Sequence, residues 1–423
     1  MISREGYRKR IIDDRVEQAL KASGAVCIKG PRWCGKTWTS MMHANSVFDV
    51  GLSTDRFRNR RIAEMDPELA LQGEQPHLVD EWQDVPAIWD ATRSFVDRNP
   101  MKGQIILAGS SVPPEEGTRH SGEGRILDVC MHTMSLFETG DSDGKASLRG
   151  IIDGTACNSP CGHHGLEDLA YLAFRGGWPA LQGADEASIK TVLEDYIGKA
   201  VASASKMDGV VRDSDKMAML FRSLARNEST TAAKSSLSRD VSDAEGGSIS
   251  DNTMTEYLGC LSRMYLREDL PAFDPNIRSS VRVGKAVKRH LADPSLAVAA
   301  LGMDPGSLMG DLDTFGSVFE SLCEHDLRIY AEADGWSLRH YRDAKGREVD
   351  AVVECRDGYG LFEVKLGSNQ IDAAAENLKR MSRVFEDSGK KAPKALCVIC
   401  GLVDFAYRRD DGVFVAPITS LKP

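Results

Sequence analysis

The most specific chemical signal in the sequence is a glycine-rich run that ends in lysine and threonine. It follows the apolar run 25–28, which is typical of a strand, and it precedes a segment that can form a helix. Glycines let backbone N–H groups turn toward phosphate oxygens, the lysine reaches the outer phosphates, and the hydroxyl takes one position on Mg²⁺. The pattern therefore predicts binding of a nucleoside triphosphate, with ATP and Mg²⁺ as cofactors. The predicted nucleotide-binding residues are Gly30, Pro31, Arg32, Trp33, Cys34, Gly35, Lys36 and Thr37.

Polar side chains follow the next two apolar runs at the positions where a phosphate-transfer site needs them. Asp80 and Glu81 come directly after the run 77–79, and Ser110 follows the run 104–108. Asp80 is predicted to hold Mg²⁺ together with Thr37, and Glu81 to polarise the attacking water, because phosphoryl transfer depends on positioning and charge stabilisation. Ser110 is predicted to contact the terminal phosphate or the water. A solvated acidic turn is the alternative interpretation of Asp80 and Glu81.

The order of these elements resembles the AAA-type ATPases of bacteria and archaea over about residues 10 to 140. Two further elements carry the resemblance: the pair Gly124-Arg125 and the run 134–138, Met-Ser-Leu-Phe-Glu, which is similar to a strand of that family. The resemblance implies that Arg125 meets a phosphate in its own subunit or in a neighbouring one, which leaves a homo-oligomer open. A solvated loop arginine is the other interpretation. Many such ATPases carry Asn where this chain has Ser110.

A second group of acidic and basic residues lies in the last hundred residues. Asp350 begins a strand-like run, and Glu363 and Lys365 stand two apart in the next one, after the turn-rich segment 356–360. Residues two apart in a strand share a face, and the turn would pair the two strands, so two carboxylates and a lysine are expected to converge. Such a group suits Mg²⁺ or Mn²⁺ acting on a phosphodiester, with Asp350, Glu363 and Lys365 as catalytic residues.

This second group resembles the PD-(D/E)XK nuclease fold over roughly residues 315 to 420. The resemblance implies that Glu320, in the first helix, completes a metal site with Asp350 and Glu363. In the AAA-type family the ATPase is commonly followed by such a nuclease-like domain of unknown function, so the resemblance implies an architecture and not a substrate. Alternating charges on a solvated sheet face are the other interpretation, and both an active nuclease and an inactive scaffold stay open.

The region between these two groups is mostly helical in pattern. The turn-rich segment 146–165 predicts a linker, and the order helix, loop, helix and strand between residues 217 and 270 suits a winged helix. Such an element could bind DNA or only pack between domains. Basic residues between 278 and 290 suggest either a strand pair that follows phosphates or a solvated face.

Composition limits the class of protein. The chain of 423 residues has 53 basic and 63 acidic residues, a net charge of −10, which argues against coating nucleic acid without regard to sequence. It has no apolar run of about 18 residues and no signal-like N-terminus, and its ten cysteines are scattered, several of them in apolar runs. These features predict a cytoplasmic protein with reduced thiols and no membrane partner.

Together, the patterns predict an α/β fold with an AAA-type P-loop ATPase domain over residues 1–145 and a linker over 146–165. A helical domain with a winged-helix element is predicted over 166–310, and a restriction-endonuclease-like α/β domain over 311–423. The first functional hypothesis is an ATP-dependent enzyme acting on DNA or RNA. The second is an ATP-gated switch whose nuclease-like domain is inactive and binds a partner.

Overall fold

The computed structural model describes residues 6–111, 121–243, 249–276, 278–280, 282 and 285–423. The chain divides into two compact units. Unit 1 consists of the residues up to 133 together with 207–210 and 259–266, and unit 2 consists of 134–206, 211–258 and 267–423. The segments predicted as two separate domains, 166–310 and 311–423, thus fall largely within one unit.

Unit 1 is built on a parallel sheet whose three central strands are buried. The strands are β1 Ala25–Lys29, β2 Ser46–Asp49, β3 His77–Asp80, β4 Ile105–Gly109 and β5 Ile126–Cys130. Their order is β2–β3–β4–β1–β5, and every neighbouring pair is parallel. In a parallel sheet all carboxyl ends lie at one edge. The register pairs Lys29 with Gly109 and Asp80 with Ala108, so the chain leaves β1, β3 and β4 side by side.

Helices cover both faces of this sheet. Successive strand residues point to opposite sides, so apolar side chains lie on both faces and need to be covered. Cys27, Val79 and Leu107 join one apolar cluster, while Val26 and Ile106 join another. The helices before and between the strands are α1 Asp13–Ala22, α2 Lys36–His43, α3 Thr54–Met65 and α4 Ala87–Arg98, with 3₁₀ turns at Pro67–Leu71 and Trp82–Asp84.

Unit 2 combines a helical part with a mixed sheet. Its first helices are α5 Leu136–Thr139, α6 Leu148–Ile152, α7 Leu166–Arg175, α8 Glu186–Ser205, α9 Ser214–Arg226, α10 Lys234–Asp243 and α11 Asp251–Arg263, whose last residues belong to unit 1. The later ones are α12 Pro294–Ala300, α13 Pro305–Gly310, α14 Leu312–Ala333 and α15 Ile371–Asp387, and 3₁₀ turns lie at Pro179–Leu181, Ser368–Gln370 and Ile418–Ser420. A further 3₁₀ turn, Met207–Gly209, belongs to unit 1.

The sheet of unit 2 has seven strands in the order β7–β12–β13–β11–β10–β9–β8. These are β7 Ser159–Pro160, β8 Ser337–Arg342, β9 Glu348–Glu354, β10 Tyr359–Lys365, β11 Ala395–Cys400, β12 Phe405–Arg408 and β13 Phe414–Ala416, and a separate pair joins β6 Ala146–Ser147 to β14 Leu421–Lys422. Strand β10 lies antiparallel to β9 and parallel to β11. The apolar face of α15 packs on this sheet through Leu378, Met381 and Phe385.

Two segments differ from the sequence prediction. The predicted linker 146–165 forms β6, α6 and β7, and its two strands pair with β14 and β12. The run 134–138 was predicted as a strand, but it forms the start of α5, because Ser135 and Glu138 make a reciprocal capping box. Asp326 of α14 accepts a hydrogen bond from the backbone N–H of Leu136 at 2.9 Å, which fixes this turn within unit 2.

The region predicted as a winged helix contains α9, α10 and α11, followed by antiparallel bridges that pair Leu270 with Lys288 and Arg267 with Leu291. The side chain of Thr255 on α11 accepts a hydrogen bond from Lys234 at 2.8 Å, and Glu256 pairs with Arg212. These polar groups of α11 are therefore engaged within unit 2, and DNA binding by this element stays a prediction. Among the described helices, none combines the length and apolar character needed to cross a bilayer.

Candidate functional site

The phosphate loop lies where the sequence predicts it, between the carboxyl end of β1 and the start of α2. A Cβ atom at Gly30 would lie 2.1 Å from the carbonyl oxygen of Met131, so only glycine fits there. Gly35 caps α2 with φ 105°, a conformation that favours glycine. Trp33 also has a positive φ of 74°, and its side chain is 46% exposed. The loop therefore contains one strained residue that is not glycine.

Lys36 is buried against this loop. Its Nζ donates hydrogen bonds to the carbonyl oxygens of Gly30 at 3.0 Å and Pro31 at 2.7 Å. The ammonium is thus held beside the loop whose backbone cradles phosphates in P-loop proteins. This position fits the role predicted for Lys36.

Thr37 and Asp80 meet directly, as the Mg²⁺ prediction requires. The Thr37 hydroxyl donates to Oδ2 of Asp80 at 2.8 Å. Burial, with smaller contributions from Glu81 and Asp49, raises the pKa of Asp80 to about 6, and the hydrogen bond from Thr37 opposes the rise. The carboxylate lies among other acids and contacts a neutral hydroxyl, so its charge is poorly balanced. Hard oxygen donors of this kind fit Mg²⁺.

Glu81 and Ser110 are also brought together. Glu81 has φ 52°, a strained backbone of the kind often found at functional sites. The Ser110 hydroxyl donates to Oε2 of Glu81 at 3.4 Å, and the Gln83 amide donates to the same oxygen. Arg32 donates from Nε to Ser110 Oγ at 3.3 Å. Gln83 was not predicted, although it lies two residues after Glu81.

Arg125 does not join this group. Its carbonyl oxygen accepts from the N–H of Ala25, at the amino end of β1, and its Nε donates to Asp97 at 2.8 Å. The phosphate loop leaves the other end of β1, about 13 Å away along a five-residue strand. The expectation that Arg125 meets a phosphate in its own subunit therefore does not fit the structure. A role in a neighbouring subunit stays a prediction.

In unit 2, Asp350, Glu363 and Lys365 converge as predicted. Strands β9 and β10 are antiparallel neighbours, and Nζ of Lys365 lies 3.0 Å from Oδ2 of Asp350 and 2.8 Å from Oε2 of Glu363. The amide of Asn377, on α15, donates to Oε1 of Glu363 at 2.7 Å. The sequence offered no signal for Asn377, because its contact depends on how α15 packs on the sheet.

The pKa values of Asp350 and Glu363 are shifted in opposite directions. Burial alone would raise the pKa of Asp350, but the positive charges of Lys365 and Lys288 and the backbone N–H of Val364 hold it below its usual value. Burial and the neighbouring Asp350 raise the pKa of Glu363 to about 8, opposed by Lys365 and Asn377. A metal ion bound here would therefore displace both a proton and an ammonium group.

Glu320 lies in a different environment from the one predicted. Lys288 donates to Oε1 of Glu320, to Oε1 of Glu324 at 2.7 Å and to the carbonyl oxygen of Asp350 at 3.1 Å. Burial disfavours the charge of Lys288, but the three acidic neighbours raise its pKa well above the usual value. Because this Glu320 oxygen is taken by an internal cation, the structure does not support Glu320 as a direct metal ligand.

Several basic side chains of the run 278–290 lie against acids, whereas Arg278 is exposed. Arg282 pairs with Glu354 at 2.8 Å, and Arg289 pairs with Asp269 at 2.8 Å. His290 is buried, with Nδ1 2.9 Å from Glu228 and Nε2 3.0 Å from Glu324. These side chains bind acids within unit 2 and do not form an open basic strip.

A cavity of about 640 Å³ opens onto Asp350, Glu363 and Lys365. Its other lining residues include three basic side chains, Lys345, Arg347 and Arg380. These basic side chains can attract anions, although Arg347 also pairs with Asp343 and the acid Glu348 lines the cavity as well. This arrangement is compatible with a phosphate-containing ligand that meets a divalent ion.

Three family models match successive parts of the chain. Residues 22–140 match an AAA domain, residues 166–307 match a domain of unknown function (DUF8612), and residues 315–421 match a second domain of unknown function (DUF4143). The match of residues 22–140 to an AAA domain agrees with the phosphate-loop geometry of residues 30–37. The N-terminal part of the chain is an AAA-type P-loop ATPase domain, which binds ATP and usually requires Mg²⁺.

Two curated relatives and one solved structure are also similar to the chain. Uncharacterized proteins of Mycobacterium tuberculosis and Mycobacterium bovis are each 24% identical over 358 residues, covering 83% of this chain and 72% of the relative. The Walker-type ATPase of Pyrococcus abyssi superposes with a TM-score of 0.41 and 13% identity, over 71% of this chain and 96% of that one.

Proposed function

We propose that this chain is an ATP-dependent enzyme acting on nucleic acid, in which ATP hydrolysis in unit 1 regulates a metal-dependent nuclease site in unit 2. One observation carries the nuclease part: the Lys365 ammonium lies 3.0 and 2.8 Å from two carboxylates on adjacent strands, and all three groups line one cavity. An acidic pair beside a lysine suits phosphodiester hydrolysis.

The residues of the unit 1 site have separate roles in ATP hydrolysis. The loop 30–35 and Lys36 bind the phosphates, while Thr37 and Asp80 hold the metal ion. The ion, when bound, balances charge on the phosphates. Glu81, held through Oε2, orients and polarises the attacking water, and its strained backbone keeps the carboxylate beside Ser110.

In unit 2, Asp350 and Glu363 would hold Mg²⁺ or Mn²⁺, whose charge stabilises the phosphodiester during cleavage. Lys365, displaced from the carboxylates by such an ion, would position the attacking water. Asn377 keeps Glu363 oriented through Oε1. Lys345, Arg347 and Arg380, which line the same cavity, would contact the flanking phosphates.

The second candidate is an ATP-gated switch whose C-terminal domain binds a partner without cleaving it. The internal lysine Lys365 favours this alternative, because it already neutralises Asp350 and Glu363, the carboxylates that a metal would need. The two candidates share the ATPase and differ in whether Asp350 supports catalysis.

The test is ATP hydrolysis by the wild type and Lys36→Ala, with and without single-stranded and duplex DNA and RNA, followed by gel analysis with Mg²⁺ or Mn²⁺. Hydrolysis that is lost in the variant and raised by one polymer, with cleavage abolished by Asp350→Ala, supports the enzyme. If DNA and RNA leave the rate of ATP hydrolysis unchanged and neither is cleaved, the switch is supported. Absence of nucleotide binding would contradict both.

The role of Arg125 is proposed only across subunits, since it lies at the far end of the sheet from the phosphate loop of its own chain. Sedimentation velocity with ATP and with ADP tests whether the chain forms the homo-oligomer that this role needs. A monomer that hydrolyses ATP at full rate at all concentrations would contradict it.

A further inference from the structure

We infer that Arg32 is a positioning residue for ATP hydrolysis, acting through Ser110 on the carboxylate of Glu81. The inference rests on the proposed hydrolysis at this site and adds a residue that the phosphate-loop pattern leaves undefined, since the position of Arg32 in that pattern accepts any residue.

The direction of the hydrogen bonds follows from the chemistry of the groups. A guanidinium group only donates, so the contact from Arg32 Nε makes Ser110 Oγ an acceptor at 3.3 Å. The Ser110 proton is then directed to another acceptor, and Oε2 of Glu81 lies 3.4 Å away. The order is therefore Arg32 to Ser110 to Glu81, and Ser110 is only 3% exposed, which limits competition from water. Both distances are long, as is common for catalytic hydrogen bonds before the substrate binds.

Glu81 receives these bonds on one oxygen. The Ser110 hydroxyl and the Gln83 amide both donate to Oε2, from different elements of unit 1. Two donors on one oxygen define the plane of the carboxylate better than either alone. Removing Arg32 frees the hydroxyl of Ser110 to rotate, and Glu81 then loses one of these two constraints.

The location of Arg32 couples this orientation to the nucleotide. Arg32 belongs to the loop that turns its backbone toward the phosphates, whereas Ser110 follows β4 and Glu81 follows β3. The hydrogen-bond chain thus connects the phosphate-binding element to the two neighbouring strand ends. Correct placement of Glu81 then depends on the shape of the phosphate loop.

The test compares Arg32→Ala, Ser110→Ala and the double variant in steady-state hydrolysis of ATP with Mg²⁺. Each single variant is expected to lower kcat about 10- to 100-fold, with KM changed less than about 3-fold, because the contact orients the carboxylate and does not bind ATP. The double variant is expected to be no slower than the worse single variant, since both break one chain of bonds. Arg32→Lys is expected to restore less than half of the lost rate, because lysine lacks the planar guanidinium geometry.

The matched control is Arg58→Ala, an exposed arginine on α3, which is expected to hydrolyse ATP like the wild type. Binding of ADP, measured by isothermal titration calorimetry, shows whether each variant keeps a folded nucleotide site. Wild-type rates in Arg32→Ala, a loss confined to ADP affinity, or multiplicative effects in the double variant would each overturn the inference. If the wild-type protein binds ATP without hydrolysing it, the proposed ATPase activity is overturned as well. That outcome is distinguishable, because it is observed in the wild-type protein without any variant.

Discussion

The two candidate sites contain the same kinds of side chains but balance their charges differently. In unit 1, Lys36 donates to loop carbonyls, and Asp80 contacts the neutral hydroxyl of Thr37. In unit 2, Lys365 bridges Asp350 and Glu363 directly. The first site leaves carboxylate charge for an added cation, whereas the second supplies cations from its own chain.

This difference indicates what each site requires from a ligand. A buried carboxylate without a partner cation is costly, and Asp80 responds with a pKa raised to about 6 by burial and neighbouring acids. A bound Mg²⁺ would relieve that cost. At the second site a metal must displace Lys365, so binding is opposed by a contact that already exists. The structure thus favours tighter metal binding in unit 1.

The largest expected effect is a loss of ATP hydrolysis that follows from changing Glu81 in unit 1 but not Glu363 in unit 2. Glu81→Gln is expected to lower kcat for ATP hydrolysis about 10²- to 10⁴-fold with ADP binding retained, because the amide cannot polarise water as a carboxylate does. The matched change Glu363→Gln is expected to leave hydrolysis without nucleic acid within about 2-fold of wild type. Steady-state kinetics on both variants measure this, and equal losses would show that the two sites are not separable.

The next effect concerns the internal cation of unit 2. Lys288→Met removes the cation shared by Glu320 and the buried Glu324 and is expected to destabilise the fold by about 3 to 5 kcal/mol. Adding Glu324→Gln should recover part of this loss. Urea unfolding measures the change, with Lys285→Met as the control, since that lysine donates to a neutral group, the carbonyl oxygen of Arg342. A loss below about 1 kcal/mol would mean that the acids are protonated or hydrated instead.

These contrasts also show which parts of the sites the sequence could predict. The phosphate loop was predictable because its eight residues are contiguous, and Asp80, Glu81 and Ser110 were predictable because they follow apolar runs that become neighbouring parallel strands. Glu363 and Lys365 share a face by the two-residue period of a strand.

Contacts between distant segments could not be predicted in this way. Lys288 reaches the carbonyl of Asp350 across 62 residues, and its partners depend on how the segment before α12 packs against α14. The start of α5 was mistaken for a strand although the sequence contained the signal, because Ser135 and Glu138 have capping-box spacing.

A smaller effect follows from the charge of Asp80. Mg²⁺ requires the ionised carboxylate, so below the folded pKa of about 6 the ion must displace a proton. The affinity for Mg·ATP is therefore expected to rise about 10-fold per pH unit up to about pH 6 and to level off above it. Titrations from pH 5 to 8 measure this, and Asp80→Asn should bind weakly with no such slope. A steep slope that persists in the variant would assign the effect to another group.

The smallest effect tests the strain in the phosphate loop. Trp33 has φ 74°, where a bulky side chain costs about 1 to 2 kcal/mol, and nearly half of its side chain is exposed. Asparagine tolerates this conformation, so Trp33→Asn is expected to raise stability by up to about 1 kcal/mol after the lost ring contacts are counted. Urea unfolding measures it, with Trp38→Asn in α2 as the control, where no positive φ is relieved and a small loss is expected. A loss of stability in Trp33→Asn equal to that in Trp38→Asn would show that ring packing outweighs the backbone strain, and the loop of unit 1 would then be held by its side chain.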